Sequence, residues 1–184
     1  MAIQINGNGT ITGISSGGLP AGSVTSATLA TGAGGKILNS TSIINTTTVT
    51  IGATTNYTDT GVTHSITTTA ANSKILMLGR LAFDTARNNN DSGARFQIVR
   101  TVGGTTTDFM EDSSLGEGVY MSSGSHTRFY GTLPLAFLDT PNQAAGTTVS
   151  YKLQSKPNNT NLNEDVRINQ SGRASTIMLL EVAS

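Results

Sequence analysis

Apolar residues along this chain fall into short runs, and most of the runs alternate with polar residues in period two. The clearest is Thr127–Phe137, where Phe129, Gly131, Leu133, Leu135 and Phe137 share one phase and Arg128, Tyr130, Thr132, Pro134 and Ala136 the other. Successive side chains of a strand point to opposite faces, so this pattern predicts a strand with one buried face. Pro134 has no N–H to give to a ladder, which places that part of the strand at a sheet edge or a bulge. Val149, Tyr151 and Leu153 alternate in the same way with Ser150, Lys152 and Gln154, as Phe96 and Ile98 do with Arg95 and Gln97. Further strands are expected around Ile43–Ile51, Asn56–Ile66 and Asp165–Asn169. About eight to ten such runs, bounded by Gly, Asn, Ser and Pro, predict an all-β sandwich.

Two runs do not alternate: Ile75-Leu76-Met77-Leu78, continuing to Leu81 and Phe83, and Ile177-Met178-Leu179-Leu180 with Val182. Both are short and lack helix caps, so they read as strands buried on both faces. In a two-layer sandwich one face of each sheet lies on the core and the other normally meets water, so a second buried face needs a cover. A neighbouring subunit is one candidate, which makes Ile75, Met77, Met178 and Leu180 possible subunit-interface residues. The other is the N-terminal segment or a long loop folded over that face.

Residues 1–35 form a separate region, an arm. Nine of the 21 glycines lie within Met1–Lys36, and Lys36 is its one charged residue. Ile3, Ile5, Ile11 and Ile14 flank Asn6-Gly7-Asn8-Gly9, and Asn-Gly between apolar residues is a strong hairpin signal. Gly17-Gly18-Leu19-Pro20 would end that hairpin, and Gly32-Ala33-Gly34-Gly35 makes a flexible joint. Four isoleucines cannot build a core alone, so the arm is expected to bury them, with Leu19, against another chain or another protein.

Composition narrows the function classes. The 184 residues include 30 Thr, 19 Ser, 15 Asn and 21 Gly, against 12% charged residues with 11 Lys+Arg and 11 Asp+Glu. Thr favours strands and Gly, Asn and Ser favour turns, which agrees with the patterning. Balanced, sparse charge without a basic cluster excludes a nucleic-acid binder. No apolar stretch of ~18 residues is present, so membrane insertion is not expected. The start Met1-Ala2-Ile3-Gln4-Ile5 lacks the basic-then-apolar pattern of a signal peptide, so export by the general secretory route is not expected either. With no Cys there is no disulfide and no thiolate metal site.

Candidate chemistry is thin. Gly13-Ile14-Ser15-Ser16-Gly17 matches the nucleophile-elbow string but lies in the Gly/Ser-rich arm, where no apolar helix follows. Gly32-Ala33-Gly34-Gly35-Lys36 resembles half of a phosphate-binding loop, yet Ile37 stands where Ser or Thr would hold magnesium. His64 and His126 have no metal-ligand spacing, and His64 falls in phase with Val62 and Ile66, as a strand residue at a sheet face or edge. Asp108, Glu111, Asp112 and Glu117 concentrate acid without calcium-loop spacing and read as a solvated loop. Phe83, Phe96, Phe129 and Phe137 fit core positions, which leaves Tyr57, Tyr120 and Tyr130 as surface contacts. Two Asn-rich loops stand out, one holding Asn88, Asn89 and Asn90 and the other Asn158 and Asn159; loop tips on a rigid β scaffold are sites for receptor contact or plain solvated turns. No catalytic group, cofactor or metal is expected.

Ala2-Ile3-Gln4-Ile5-Asn6-Gly7-Asn8-Gly9-Thr10-Ile11-Thr12-Gly13-Ile14, with Gly18-Leu19-Pro20-Ala21-Gly22, resembles the N-terminal segment of structural and tail-fibre-like or head-fibre-like proteins of tailed bacteriophages. Ser73-Lys74-Ile75-Leu76, Phe137-Leu138-Asp139-Thr140-Pro141, Tyr151-Lys152-Leu153-Gln154 and Ala174-Ser175-Thr176-Ile177-Met178-Leu179-Leu180-Glu181-Val182 are similar to the β domain that follows it in that group. The resemblance implies a non-enzymatic virion component, assembled in the host cytoplasm, with residues 1–35 attaching to other virion proteins. Residues 36–184 would be a jelly-roll-like antiparallel β-sandwich that forms a homotrimer and adheres to the host surface, a glycan among the possible receptors. The alternatives are a capsid decoration or cement protein and, with less support, a polysaccharide depolymerase or a carbohydrate-binding module; a depolymerase would need a carboxylate pair across a cleft.

Overall fold

The alternating runs form strands, and two-residue periodicity decides which side of each strand meets the core. A computed structural model describes residues 36–87, 92–110, 117–121, 127–158 and 164–184, together with the short segments Gln4–Ile5 and Ile11–Thr12. The chain divides into two units, Met1–Lys36 and Ile37–Ser184. In the first, β1 (Gln4–Ile5) and β2 (Ile11–Thr12) pair antiparallel with Gln4 opposite Thr12 and Ile5 opposite Ile11, on either side of the two Asn-Gly pairs. Ile3, Ile14 and Leu19 lie outside the described residues.

The second unit contains β3 (Ile37–Asn45), β4 (Val49–Ile51), β5 (Thr58–Thr67), β6 (Lys74–Arg87), β7 (Ser92–Val102), β8 (Thr105–Met110), β9 (Glu117–Met121), β10 (Thr127–Asp139), β11 (Thr148–Pro157), β12 (Val166–Ile168) and β13 (Ser175–Val182). They make two antiparallel sheets. The six-stranded sheet centres on β6, with β10 along one edge and β13 and β12 in line along the other; β3 then pairs with β13, and β4 with β12. The five-stranded sheet runs β5-β11-β7, with β8 and β9 in line on the far edge of β7. Counting in-line pieces as one strand, the eight strands divide between the sheets as β3/β4, β6, β10 and β12/β13 and as β5, β7, β8/β9 and β11. Their spatial orders, first-eighth-third-sixth and second-seventh-fourth-fifth, are those of a jelly roll.

The inward phases of both sheets meet in one core. Ile75, Met77, Leu81 and Phe83 of β6, Ile177 and Leu179 of β13, Phe96 and Ile98 of β7, and Val149, Tyr151 and Leu153 of β11 are all buried. Full burial of such a side chain stabilises the fold by about 2 kcal/mol. Phe83 and Phe96 meet edge to face at 4.8 Å, and Gly131 makes room for Phe83, since a Cβ there would lie 2.5 Å from its ring. Phe129 keeps the inward phase but is 40% exposed, so it borders the core where the core position was expected. Pro134 lies on β10, which has β6 as its one partner among the described residues, an edge position of the kind in which a proline is tolerated.

Polar groups close the core at its ends. Arg100 from β7 reaches Asp139 from β10 at 2.7 Å, and the Tyr151 hydroxyl donates to the same carboxylate at 2.6 Å. Burial first, then the bond to Asp139, pushes the Tyr151 phenol well above its usual value. The strand expected over Ile43–Ile51 begins earlier, at Ile37, and breaks between β3 and β4. A matching break separates β12 from β13, where Asn169 and Ser171 adopt left-handed backbone (φ 56° and 59°). Buried Asn169 holds both breaks together: its amide donates to Asn45 Oδ1 and the Thr47 carbonyl, and its oxygen accepts from Ser175.

Candidate assembly surface

The outward phase of the six-stranded sheet is where the two non-alternating runs place their spare apolar residues. Register sets Leu138 opposite Leu76 opposite Leu180, and in the next row Ala136 opposite Leu78 opposite Met178. Leu138 is 55% exposed, Met178 44% and Leu78 37%, and Ile44 on β3 adds a further exposed side chain. A shallow groove of about 430 Å³ runs between Ile44, Thr176, Met178 and Leu78. Its floor is Gly79, where a Cβ would lie 2.1 Å from the Thr176 carbonyl oxygen, so the strands approach there because no side chain is present.

This geometry corrects one expectation. Ile75 and Met77 are not interface residues: they take the inward phase of β6 and are wholly enclosed in the core. Their neighbours Leu76 and Leu78 take the outward phase, since in a strand adjacent residues cannot share a face. Met178 and Leu180 do lie outward on β13. Burial on both faces also fails for β6 and β13, because no described residue covers Leu78 or Met178.

Further along the same face the chemistry changes from apolar to charged. Asp84 on β6 is fully buried and accepts from Arg128 on β10 and from Arg173 at 3.0 Å. Asp165 Oδ2 accepts from Arg167 Nε on β12 at 2.8 Å and from Arg128 at 3.4 Å, and its Oδ1 lies 3.1 Å from the Arg128 guanidinium as an ion pair. The Arg173 guanidinium lies 4.6 Å from the centre of the Tyr130 ring, which is 55% exposed. Tyr130 was legible as a surface contact, and the strict alternation of β10 puts Arg128 on its side of the strand. Arg167 and Arg173 were missed; their nearness in sequence is the one signal that pointed to them.

The other candidates disperse. Asn158 accepts from Arg95 Nε and its N–H donates to the Gly93 carbonyl at 3.0 Å, which fastens the end of β11 to β7. Asn88, Asn89, Asn90 and Asn159 lie outside the described residues, as do His126, Glu111, Asp112 and the Ser15 string. His64 sits inward on edge strand β5 with Nε2 3.0 Å from Thr41 Oγ1, and burial lowers its pKa. Tyr57 carries the Lys156 ammonium 4.4 Å from its ring centre. Among the described residues no three His, Asp or Glu side chains gather as a metal site.

No family model matches the sequence, and no curated protein matches it. Among solved structures the chain is similar to the infectious bursal disease virus VP2 subviral particle, with a TM-score of 0.40 and 12% identity over 79% of this chain and 38% of that one. It is also similar to the infectious bursal disease virus Gx strain structure (TM-score 0.39, 10% identity, 80% of this chain, 39% of that one). A third is the T13 particle of that virus (TM-score 0.39, 12% identity, 79% and 36%). The chain spans well under half the length of these structures.

Proposed function

We propose that this protein is a non-enzymatic virion component of the tail-fibre-like class of tailed bacteriophages. In this reading residues 1–35 dock on the particle and the jelly roll associates as a homotrimer that adheres to the host surface. The observation that carries it is the outward apolar face of the six-stranded sheet: Leu76, Leu78, Leu138, Met178 and Leu180 form contiguous rows that a solitary domain would leave in water. Association removes that surface from water, and the near absence of net charge does not oppose it. The resemblance of the first 22 residues to the phage attachment segment supplies the particle.

Size-exclusion chromatography with light scattering on the full chain tests the reading. A trimer at micromolar concentration is the expected result, and a stable monomer overturns it. Electron microscopy of particles then separates a fibre, standing off the tail or head, from a decoration protein lying flat on the capsid. An unchanged viscosity of host polysaccharide after incubation is expected of an adhesin, and loss of viscosity would identify a depolymerase.

A further inference from the structure

The charged half of the outward face has a construction that ion pairing alone does not require. Among the described residues, three guanidiniums, from Arg128, Arg167 and Arg173, pair with two carboxylates, Asp84 and Asp165, one more cation than anion. The carboxylates are the buried layer, with side-chain exposures of 0% and 16%, and the guanidiniums the outer one, at 24 to 33%. Arg167 meets Asp165 through Nε and Nη2, which leaves both protons of Nη1 unassigned. A fork held from below with donors remaining above is prepared for a second carboxylate.

Beside it stands an exposed aromatic ring in a chain with only 5% aromatic residues. The Arg173 guanidinium lies against the Tyr130 ring, and Arg173 is delivered by the insertion between β12 and β13, which contains the left-handed Asn169 and Ser171. Left-handed backbone at Ser171 is disfavoured for a residue with a side chain and persists only where the surroundings hold it. A flat ring next to a guanidinium fork matches a pyranose carrying a carboxylate: the ring takes the sugar face and the fork takes the charge. One surplus charge is too little for a nucleic-acid backbone, whose binding depends on neutralising many phosphates.

We propose that Tyr130, Arg128, Arg167 and Arg173 form a binding site for an acidic polysaccharide whose sugar rings bear carboxylates. This rests on the adhesion reading above and gives it a receptor class. The site is compatible with association through the apolar half, because Asp84 and Leu78 are six residues apart on β6, or about 20 Å. It also lies toward the end of β6 near which Asn158 fastens β11 to the Gly93 carbonyl of β7.

Calorimetric titration of the full chain with oligogalacturonate, using neutral dextran and dextran sulfate as comparators, tests the site. Saturable binding of oligogalacturonate and none of dextran is expected. Tyr130→Ala, at a half-exposed position, should weaken binding about tenfold while leaving the melting transition in place. Arg167→Gln, which removes a cation without touching Asp84, should weaken it by a similar factor, and raising salt from about 0.05 to about 0.5 M should weaken the wild type. Absence of oligogalacturonate binding, equal binding of dextran, or unchanged affinity in both variants overturns the proposal, and tighter binding of dextran sulfate overturns the assignment to carboxylate. A monomer that binds with these dependences refutes the trimer and leaves the site; a trimer that does not bind refutes the site and leaves the trimer.

Discussion

The two sheets have outward faces built from the same composition in opposite ways. On the five-stranded sheet the outward side chains satisfy one another across strands. Thr67 and Thr148 share a hydroxyl bond at 3.0 Å and Thr101 and Thr106 one at 2.7 Å, while Gln97 donates to Gln154, which donates to Asp59. Such cross-strand pairs each contribute roughly 0.2–1 kcal/mol and remain fully compatible with water. On the six-stranded sheet the equivalent positions hold Leu76, Leu78, Ala136, Leu138, Met178 and Leu180, with nothing polar to satisfy and no cover among the described residues. A single figure for hydrophobic content averages these two surfaces. Separated, one is self-sufficient and the other calls for a partner.

The largest expected effect comes from placing a charge on each face in turn. Met178→Asp puts a carboxylate in the middle of the apolar rows, where association would strip it of water; the cost at a buried interface position is about 2 kcal/mol or more, roughly thirtyfold in affinity. Light scattering should show the proposed trimer replaced by monomer. Thr101→Asp, on the polar face, should leave the trimer intact. If both variants stay trimeric, the contact lies elsewhere and the contrast between faces has another cause.

Much of this contrast was legible in the sequence, and the limit is physical. Period two identified β10 residue by residue and placed Val149, Tyr151 and Leu153 inward, because one face of those strands is polar. In Ile75-Leu76-Met77-Leu78 both phases are apolar, so periodicity showed that an extra surface existed but not which residues formed it. Only the register against β10 and β13 separates Leu76 and Leu78 from Ile75 and Met77. The guanidinium group was harder still, since Arg128 and Arg173 are brought to Asp84 from strands far apart in sequence. Its assembly depends on the insertion at Asn169–Arg173, where no local sequence rule demands left-handed backbone at Ser171.

An acid from each sheet sharpens the comparison. Glu181, on the inward phase of β13, is fully enclosed and accepts from the Thr69 and Ala70 N–H groups and from the Thr69 and Ser73 hydroxyls, at 2.7 to 3.0 Å. Burial raises its pKa, but the donors together outweigh burial and hold it below the ordinary value of 4.5. Its contribution is therefore complete above that value and is lost as pH falls through the lower, folded-state pKa. Glu181→Gln, which sets an amide N–H₂ against N–H donors, should cost about 2–4 kcal/mol at neutral pH. Thermal melts from pH 7 to pH 3 should show the gap between wild type and variant closing on the acid side; a constant gap would mean that the carboxylate charge does not hold this end of the core.

Asp59 makes the smallest and most discriminating case. It also accepts strong bonds, from Lys152 at 2.9 Å and Gln154 at 2.7 Å, and these lower its pKa against a burial effect that raises it. By contact geometry alone it resembles Glu181, but its side chain is 51% exposed and that of Lys152 39%. Water competes for every one of its bonds, so Asp59→Asn should cost about 0.5 kcal/mol or less, and that difference should vanish in about 1 M salt. Chemical denaturation at low and high salt measures both quantities. A cost near that of Glu181→Gln, insensitive to salt, would mean that the polar face is a tightly coupled network whose side chains cannot be exchanged singly, and the view of it as a self-solvating surface would have to be given up.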